Sequence, residues 1–216
     1  MNPIRVFIDT NVLKFSVTES QRLVPRIQKL NWGGRPAEVV VHDEMTINWN
    51  DRIMDPVLKS EVELLPKLAE LGRANRLQFL LSVETKVESW CLPKMDSVHG
   101  IFFGAPIKSV QAPVMYGRVV VGMGVDLEKE QFRFLASLKA PRFLQLQRMT
   151  GAYQGPGRLN RNQLLDAFHL WCAEYNQCSY FLTLDFKLAR VLRRSANSLL
   201  THVVKPSDLM TLLGEI

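Results

Sequence analysis

Acidic residues lie just after the ends of three short apolar segments of the chain. The segments are short, largely apolar runs at 4–8, 77–81 and 179–184. Asp9 follows the first run, Glu84 and Glu88 lie just beyond the second, and Asp185 follows the third. Buried parallel strands have this largely apolar pattern, and open parallel sheets bind ligands beyond the carboxyl ends of their strands. The sequence therefore predicts that these acids converge at one edge of a sheet.

A further acid, Asp166, lies near the start of a helix predicted over 162–175. It joins the others if this helix points its N-terminal end at the same edge, where the partial positive charge of the helix helps to keep a carboxylate ionised. Clustered carboxylates repel one another, and a hard divalent cation with oxygen ligands relieves that repulsion. We therefore expect Mg²⁺ or Mn²⁺ as the cofactor.

Such a site suits the hydrolysis of phosphodiesters. A bound divalent cation lowers the pKa of a water and stabilises the charge that develops during in-line displacement. The chain has 27 Lys and Arg residues against 21 Asp and Glu residues, a net charge of +6, and only 17 acids remain once four are assigned to the site. That excess of basic residues favours a polyanionic substrate such as nucleic acid. The chain has no GxSxG or GxxxxGK[ST] motif, which argues against a serine hydrolase or a P-loop enzyme.

The elements that must position these acids alternate between strand and helix. Strands are predicted at 4–8, 38–41, 77–81, 179–184 and 203–204, and helices at 20–30, 55–76, 83–91, 126–149, 162–175, 186–194 and 206–213. Pro66 and Pro141 interrupt two of the helices, and Ser82 caps the one that carries Glu84 and Glu88. The alternation favours an α/β fold, a three-layer sandwich with a mostly parallel central sheet, in a single domain over 1–216. The proline-broken stretch 92–125 is predicted to be an insertion.

The composition places the protein inside the cell. No run of about 18 apolar residues could span a membrane, and Asp9 interrupts the N-terminus before a signal-peptide core could form. The three cysteines, Cys91, Cys172 and Cys178, form no CxxC pair, and their odd number argues against a disulfide framework. We expect reduced thiols, a cytoplasmic location and no membrane contact.

Four stretches of the chain resemble the PIN domain family of metal-dependent nucleases: VFIDTNVL at 6–13, LLSVETKVES at 80–89, LLDAFHLW at 164–171 and FLTLDFKLAR at 181–190. The tail VVKPSDLMTLL resembles that family's closing strand and helix. The resemblance covers both ends of the chain well and the middle poorly. It implies a PIN-like fold in which Asp9, Glu88, Asp166 and Asp185 form an acidic metal pocket. It also implies that Asn11 and Thr183 are polar supports beside the first and last acids.

The second acid has alternatives. In the family it follows a strand-ending serine by about two helical turns, which selects Glu88 over Glu84. The stretch that separates Glu88 from Asp9 is longer than in compact members, and Asp43 and Glu44 form a third candidate. His169, one helical turn from Asp166, is interpreted as a packing residue, with substrate contact as the alternative.

The resemblance implies an endoribonuclease that hydrolyses RNA with Mg²⁺ or Mn²⁺. Two alternatives remain: a structure-selective DNA nuclease, which would use the same pocket, and a catalytically inactive module that binds RNA or a protein partner. A protein partner such as an antitoxin is a further expectation, because many small PIN proteins are toxins. The oligomeric state cannot be read from the sequence.

Overall fold

Nine helices and seven strands are found in the computed structural model, which describes residues 2–17, 19–48, 53–89, 101–115, 127–153 and 158–215. The strands are β1 (Ile4–Ile8), β2 (Glu19–Trp32), β3 (Arg35–Asn48), β4 (Leu77–Leu81), β5 (Ile107–Ser109), β6 (Tyr180–Leu182) and β7 (His202–Val204). The helices are α1 (Thr10–Phe15), α2 (Pro56–Val62), α3 (Leu65–Arg73), α4 (Val83–Ser89), α5 (Leu127–Ser137), α6 (Pro141–Met149), α7 (Arg161–Tyr175), α8 (Phe186–Arg193) and α9 (Pro206–Leu212). Short 3₁₀ turns occur at Ile101–Gly104 and Ala196–Ser198.

Five strands form one parallel sheet in the order β5-β4-β1-β6-β7. Side chains alternate between the two faces of a strand, so each face needs its own cover. Val6 and Ile8 of β1 pack into a core with α2, α3 and α9, whereas Phe7 packs on the other face with α6 and α7. Helices on both faces confirm the predicted α/β fold with a parallel sheet, and the arrangement is consistent with a three-layer sandwich.

The two prolines expected to interrupt helices lie where helices start again. Pro66 occupies the first turn of α3 and Pro141 that of α6, where the missing N–H has no helical partner to lose. The range 55–76 therefore holds two helices, the first capped by the Asp55 carboxylate, which accepts from the backbone N–H of Val57 at 2.9 Å. The range 126–149 likewise holds two helices, α5 and α6.

The helix predicted over 20–30 is wrong, because these residues belong to strand β2. Trp32 and Arg35 flank a two-residue turn in which Gly33 and Gly34 have φ of 58° and 80°. A turn with two positive φ angles is the type that joins antiparallel strands, and glycine adopts it without strain. Hydrogen-bonded and non-hydrogen-bonded pairs alternate away from such a turn, which places Pro25 at a position where the ladder needs no N–H donor.

The predicted strand at 38–41 is a strand, but it lies within β3, which pairs with β2 in a separate two-stranded sheet. We call this element, Glu19–Asn48, the hairpin. Of the predicted insertion at 92–125, only 101–115 lie within the described residues. This part supplies β5, the edge strand that pairs with β4.

Two further expectations concern the cysteines and the membrane. Cys172 and Cys178 are free and buried, and burial raises the pKa of the Cys178 thiol to about 11. Both are therefore thiols rather than thiolates at neutral pH, whereas Cys91 lies outside the described residues. Among the described helices, none has both the length and the apolarity needed to cross a bilayer.

Candidate functional site

Asp9 lies between β1 and α1, at the carboxyl end of the central strand of the sheet. The residue is 5% exposed, and Oδ2 accepts hydrogen bonds from Asn11 Nδ2 and Thr183 Oγ1, each at 2.7 Å. Burial raises the pKa of Asp9 to about 6, and the negative charge of Asp185 adds to this, while the two hydrogen bonds act in the opposite direction. Two hydrogen bonds thus fix the Asp9 side chain in place, while its burial makes ionisation of the carboxyl group unfavourable.

Asn11 and Thr183, the predicted polar supports, connect the ends of β1 and β6. Asn11 Oδ1 accepts from the backbone N–H of Leu184 at 2.9 Å, and Thr183 Oγ1 accepts from that of Asp185 at 3.0 Å. Asn11 Nδ2 also donates to Thr183 Oγ1 at 3.1 Å. The two side chains donate hydrogen bonds to Asp9, and Asn11 also donates to Thr183. Both accept hydrogen bonds from the backbone that leads to Asp185. This network fixes Asp9 relative to Asp185.

Asp185 caps helix α8, because its Oδ1 accepts from the backbone N–H of Leu188 at 2.8 Å. The capping role alone explains an aspartate here. Its charge nevertheless acts on the pKa of both Asp9 and Asp166, so it also belongs to the acidic cluster.

Asp166 has the largest perturbation of these acids. Burial raises the pKa of Asp166 to about 8, with further contributions from the charges of Asp9, Asp185 and Glu88, in that order. Asp166 and Asp185 line the same pocket, of about 230 Å³, between the N-terminal part of α7 and α8. The packing of α7 thus brings Asp166 to the edge at which β1 and β6 end.

Glu88 reaches the cluster from α4, where the Thr10 hydroxyl donates a hydrogen bond to its Oε2. Burial raises the pKa of Glu88 to about 7, as do the charges of Asp9 and Glu84, while the Thr10 hydrogen bond and the charge of Arg161 act to lower it. The four acids of the predicted pocket therefore act on one another, although they come from four separate parts of the chain.

The alternative second acids lie in different surroundings. Glu84 is fully buried one helical turn before Glu88, and its carboxylate accepts from Gln131 Nε2 of α5. Asp43 and Glu44 lie in the hairpin, where Asp43 Oδ2 forms an ion pair with Arg26 Nε at 2.8 Å. Neither Asp43 nor Glu44 is among the charges that shift the pKa of Asp9, Glu88 or Asp166. Of the alternatives, only Glu84 is near the cluster.

His169 is a buried residue of α7, as its interpretation as a packing residue requires, but it also lies beside Asp9. Its Nδ1 is 3.9 Å from Asp9 Oδ1, and its Nε2 is 3.4 Å from Thr85 Oγ1. Burial lowers the pKa of His169 to about 3, so the ring is neutral at physiological pH. Within the described part of the chain its Nδ1 has no hydrogen-bond partner. His169 therefore lines the inner wall of the cluster as a neutral imidazole.

Sequence reasoning missed two residues of this site. Thr10, directly after Asp9, is the donor to Glu88, and its polar side chain at a strand end was the available signal. Arg161 begins α7, donates to Gln131 Oε1 at 2.9 Å and lies 3.4 Å from a Glu128 carboxylate oxygen. No sequence pattern indicated that this cation lies near Glu88.

The donor set fits a hard divalent cation. It consists of carboxylate oxygens whose raised pKa values record desolvation and mutual repulsion, and both costs fall when a cation binds. Within the described ranges, no group of three or more His, Cys, Asp and Glu side chains is already arranged to hold a metal ion.

Comparisons with known proteins found no relative of this chain. No protein-family model matches the chain, and neither the curated proteins nor the solved structures contain a match.

Proposed function

We propose that this protein is a PIN-like, metal-dependent endoribonuclease that hydrolyses RNA phosphodiester bonds. The observation that carries the proposal is the gathering of Asp9, Glu88, Asp166 and Asp185 near the carboxyl edge of the sheet. Thr183 donates to Asp9 and accepts from the backbone of Asp185, Thr10 donates to Glu88, and Asp166 and Asp185 line one pocket. A purely structural role gives no reason to collect four carboxyl groups in one place, since each ionised carboxylate raises the cost of ionising the next.

Mg²⁺ or Mn²⁺ would be held by these four carboxylates. When bound, such an ion lowers the pKa of a water and neutralises charge on the phosphodiester. The rest of the chain orients the ligands. Asn11 and Thr183 hold Asp9, and Thr10 holds Glu88.

The substrate side of the proposal depends on charge and on the pocket next to the acids. Besides Asp166 and Asp185, that pocket is lined by polar side chains that include Thr150, Asn160 and Lys187. Lys187 adds a cation for phosphate, and the net charge of +6 adds long-range attraction. The preference for RNA over DNA comes from the resemblance to PIN nucleases alone.

The test is cleavage of an end-labelled RNA oligonucleotide in Mg²⁺, in Mn²⁺ and in EDTA, beside a DNA oligonucleotide of matched sequence. Asp166→Asn and Glu88→Gln should each lower the cleavage rate by more than about 100-fold, because loss of even an outer partner of a metal ligand costs about 10–100-fold. Glu70→Gln is the matched control, since Glu70 is an exposed side chain of α3. Glu84→Gln distinguishes the alternative second acid, and we expect it to retain more activity than Glu88→Gln.

Three outcomes would contradict the proposal. Cleavage in EDTA at the same rate would exclude the metal-dependent reaction, and cleavage of DNA alone would indicate the DNA nuclease instead. RNA or protein binding without cleavage, together with no Mn²⁺ binding by calorimetry, would support the inactive binding module.

A further inference from the structure

The hairpin exposes several large apolar side chains to solvent. Among the described elements, β2 and β3 make their extensive contacts with each other. Trp32 is 75% exposed, and Leu30 and Val24 are each 37% exposed. An isolated two-stranded hairpin is marginally stable in water, and clustered exposed apolar side chains typically mark an interaction site. The hairpin therefore needs a covering surface.

The pairing register defines what one face of the hairpin offers. Cross-strand partners point to the same face, and successive pairs on that face are two residues apart. The pairs on this face are Val24 with Asp43, Arg26 with Val41, Gln28 with Val39, Leu30 with Ala37 and Trp32 with Arg35. We call it the Trp32 face. Ala37, Val39 and Val41 are half-buried on it. The opposite face also exposes apolar side chains, those of Leu23, Ile27 and Val40, so the choice of the Trp32 face depends on its charges.

We propose that the Trp32 face is a self-association surface, on which a second copy of this chain packs its own Trp32 face. The proposal is independent of the nuclease activity proposed above. The two ribbons run antiparallel, about 10 Å apart as in packed sheets, and a two-fold axis passes through the central pair of Gln28 and Val39.

The argument for a second copy is that this face is complementary to itself under that rotation. The axis places Arg35 of each copy opposite Asp43 of the other, which forms two equivalent ion pairs. It also places Trp32 opposite Val24, Leu30 opposite the aliphatic stem of Arg26, and the small Ala37 opposite the larger Val41. Gln28 meets its own copy beside the axis. Val39 meets its own copy at the centre. Opposite charges at both ends and matched side-chain sizes between them are what a two-fold interface requires.

The existing ion pair within each hairpin fits this arrangement. Arg26 Nε and Asp43 Oδ2 are 2.8 Å apart in one chain, with both side chains more than half exposed. Arg35 of the second copy would add a second cation to Asp43, which extends the pair into a network across the interface. The strip from Val24 to Trp32 is about 27 Å long. This places the interface at the small end of stable ones, so we expect dissociation constants in the micromolar range.

The experiment measures mass by sedimentation velocity from about 1 to 200 µM for the full chain and four variants. We expect the wild type to dimerise over this range. Arg35→Glu places two acids opposite each other at both ends, and Asp43→Lys places two bases there. Each variant alone should therefore dimerise at least about 10-fold more weakly. An equimolar mixture of the two should dimerise again, because every end of the mixed dimer then joins opposite charges.

Lys29→Glu and Glu44→Lys are the matched controls, since they make the same charge changes on the opposite face, and both should dimerise like the wild type. A chain that stays monomeric up to 200 µM overturns the proposal. If single-stranded RNA quenches the tryptophan fluorescence of that monomer, RNA binding replaces self-association as the explanation. A wild-type dimer that neither Arg35→Glu nor Asp43→Lys weakens also overturns it, because that dimer uses another surface. Failure of the mixture to restore dimers refutes the antiparallel register.

Discussion

Replacing Asp166 with asparagine should stabilise the protein at neutral pH when no divalent cation is present. The pKa of Asp166 rises from 3.8 to about 8 on folding. A carboxyl group whose pKa is raised holds its proton in the folded chain after it has lost it in the unfolded chain. Stability therefore falls as pH rises between these two values. Asp166→Asn removes this contribution and keeps the size of the side chain.

The magnitude follows from the two pKa values. At about 1.4 kcal/mol per pH unit, the Asp166 carboxyl costs about 1 kcal/mol of unfolding free energy at pH 4.5 and about 4 kcal/mol at pH 7. Urea unfolding, followed by circular dichroism in EDTA at pH 4.5, 6, 7 and 8, should show an advantage for Asp166→Asn that grows with pH. Glu70→Gln, an exposed change, should run parallel to the wild type. Parallel curves for Asp166→Asn, or a variant that is less stable at pH 7, would refute the raised pKa of Asp166.

A divalent cation should narrow the difference in stability between Asp166→Asn and the wild type. A ligand present at 100 times its dissociation constant and bound only to the folded chain adds about 2.7 kcal/mol. Mn²⁺ should therefore stabilise the wild type at pH 7 and have little effect on Asp166→Asn, which lacks one of the four proposed ligands. Equal stabilisation of both proteins by Mn²⁺ would remove Asp166 from the proposed ligand set while leaving the electrostatic argument intact.

Three further changes test the packing and the buried polar contacts of the fold by urea unfolding. Gly72→Ala should destabilise the fold by about 1–3 kcal/mol although alanine favours helices, because the new Cβ would lie 2.5 Å from Phe79 Cε2. Glu61→Ala should cost about 3–5 kcal/mol, because the buried Glu61 carboxylate accepts from Lys205 Nζ at 2.6 Å and the cation would lose its partner. Thr183→Val should cost about 1–3 kcal/mol and raise the pKa of Asp9 further, which a carboxyl NMR titration measures, since it removes a donor to that carboxylate.

The central strands could be predicted from the sequence because both of their faces are buried. β1, β4 and β6 are largely apolar, since each face packs against helices, and the polar residue after each run marks the strand end. β5 has no such signal. Its residues Ile107–Ser109 lie at the edge of the sheet and are half-buried or exposed, so burial imposes no apolar pattern on them.

The hairpin was missed because its apolar residues have helical spacing. Leu23, Val24, Ile27 and Leu30 recur at intervals that suit one face of a helix, yet in β2 they divide between two exposed faces. The glycine pair of the turn decides the structure, because two successive positive φ angles fix the direction of the returning strand. A local turn thus overrides a periodic pattern eleven residues long, since no core packs on that pattern to favour the helix.

Some residues of the candidate site could be predicted from the order of the strands, and others depend on how the helices pack. Asp9 and Asp185 follow from topology, because adjacent parallel strands place their ends together whatever surrounds them. Glu88 and Asp166 depend on where α4 and α7 pack, and the neighbouring Thr10, Arg161 and His169 depend on it entirely. The raised pKa values are a further consequence of packing, since burial is the largest cause for each of the acids Asp9, Glu88 and Asp166. A sequence can therefore show that acids gather at a sheet edge. How strongly they compete for protons, and hence how strongly a cation would be drawn to them, is determined by the helices that exclude water from that edge.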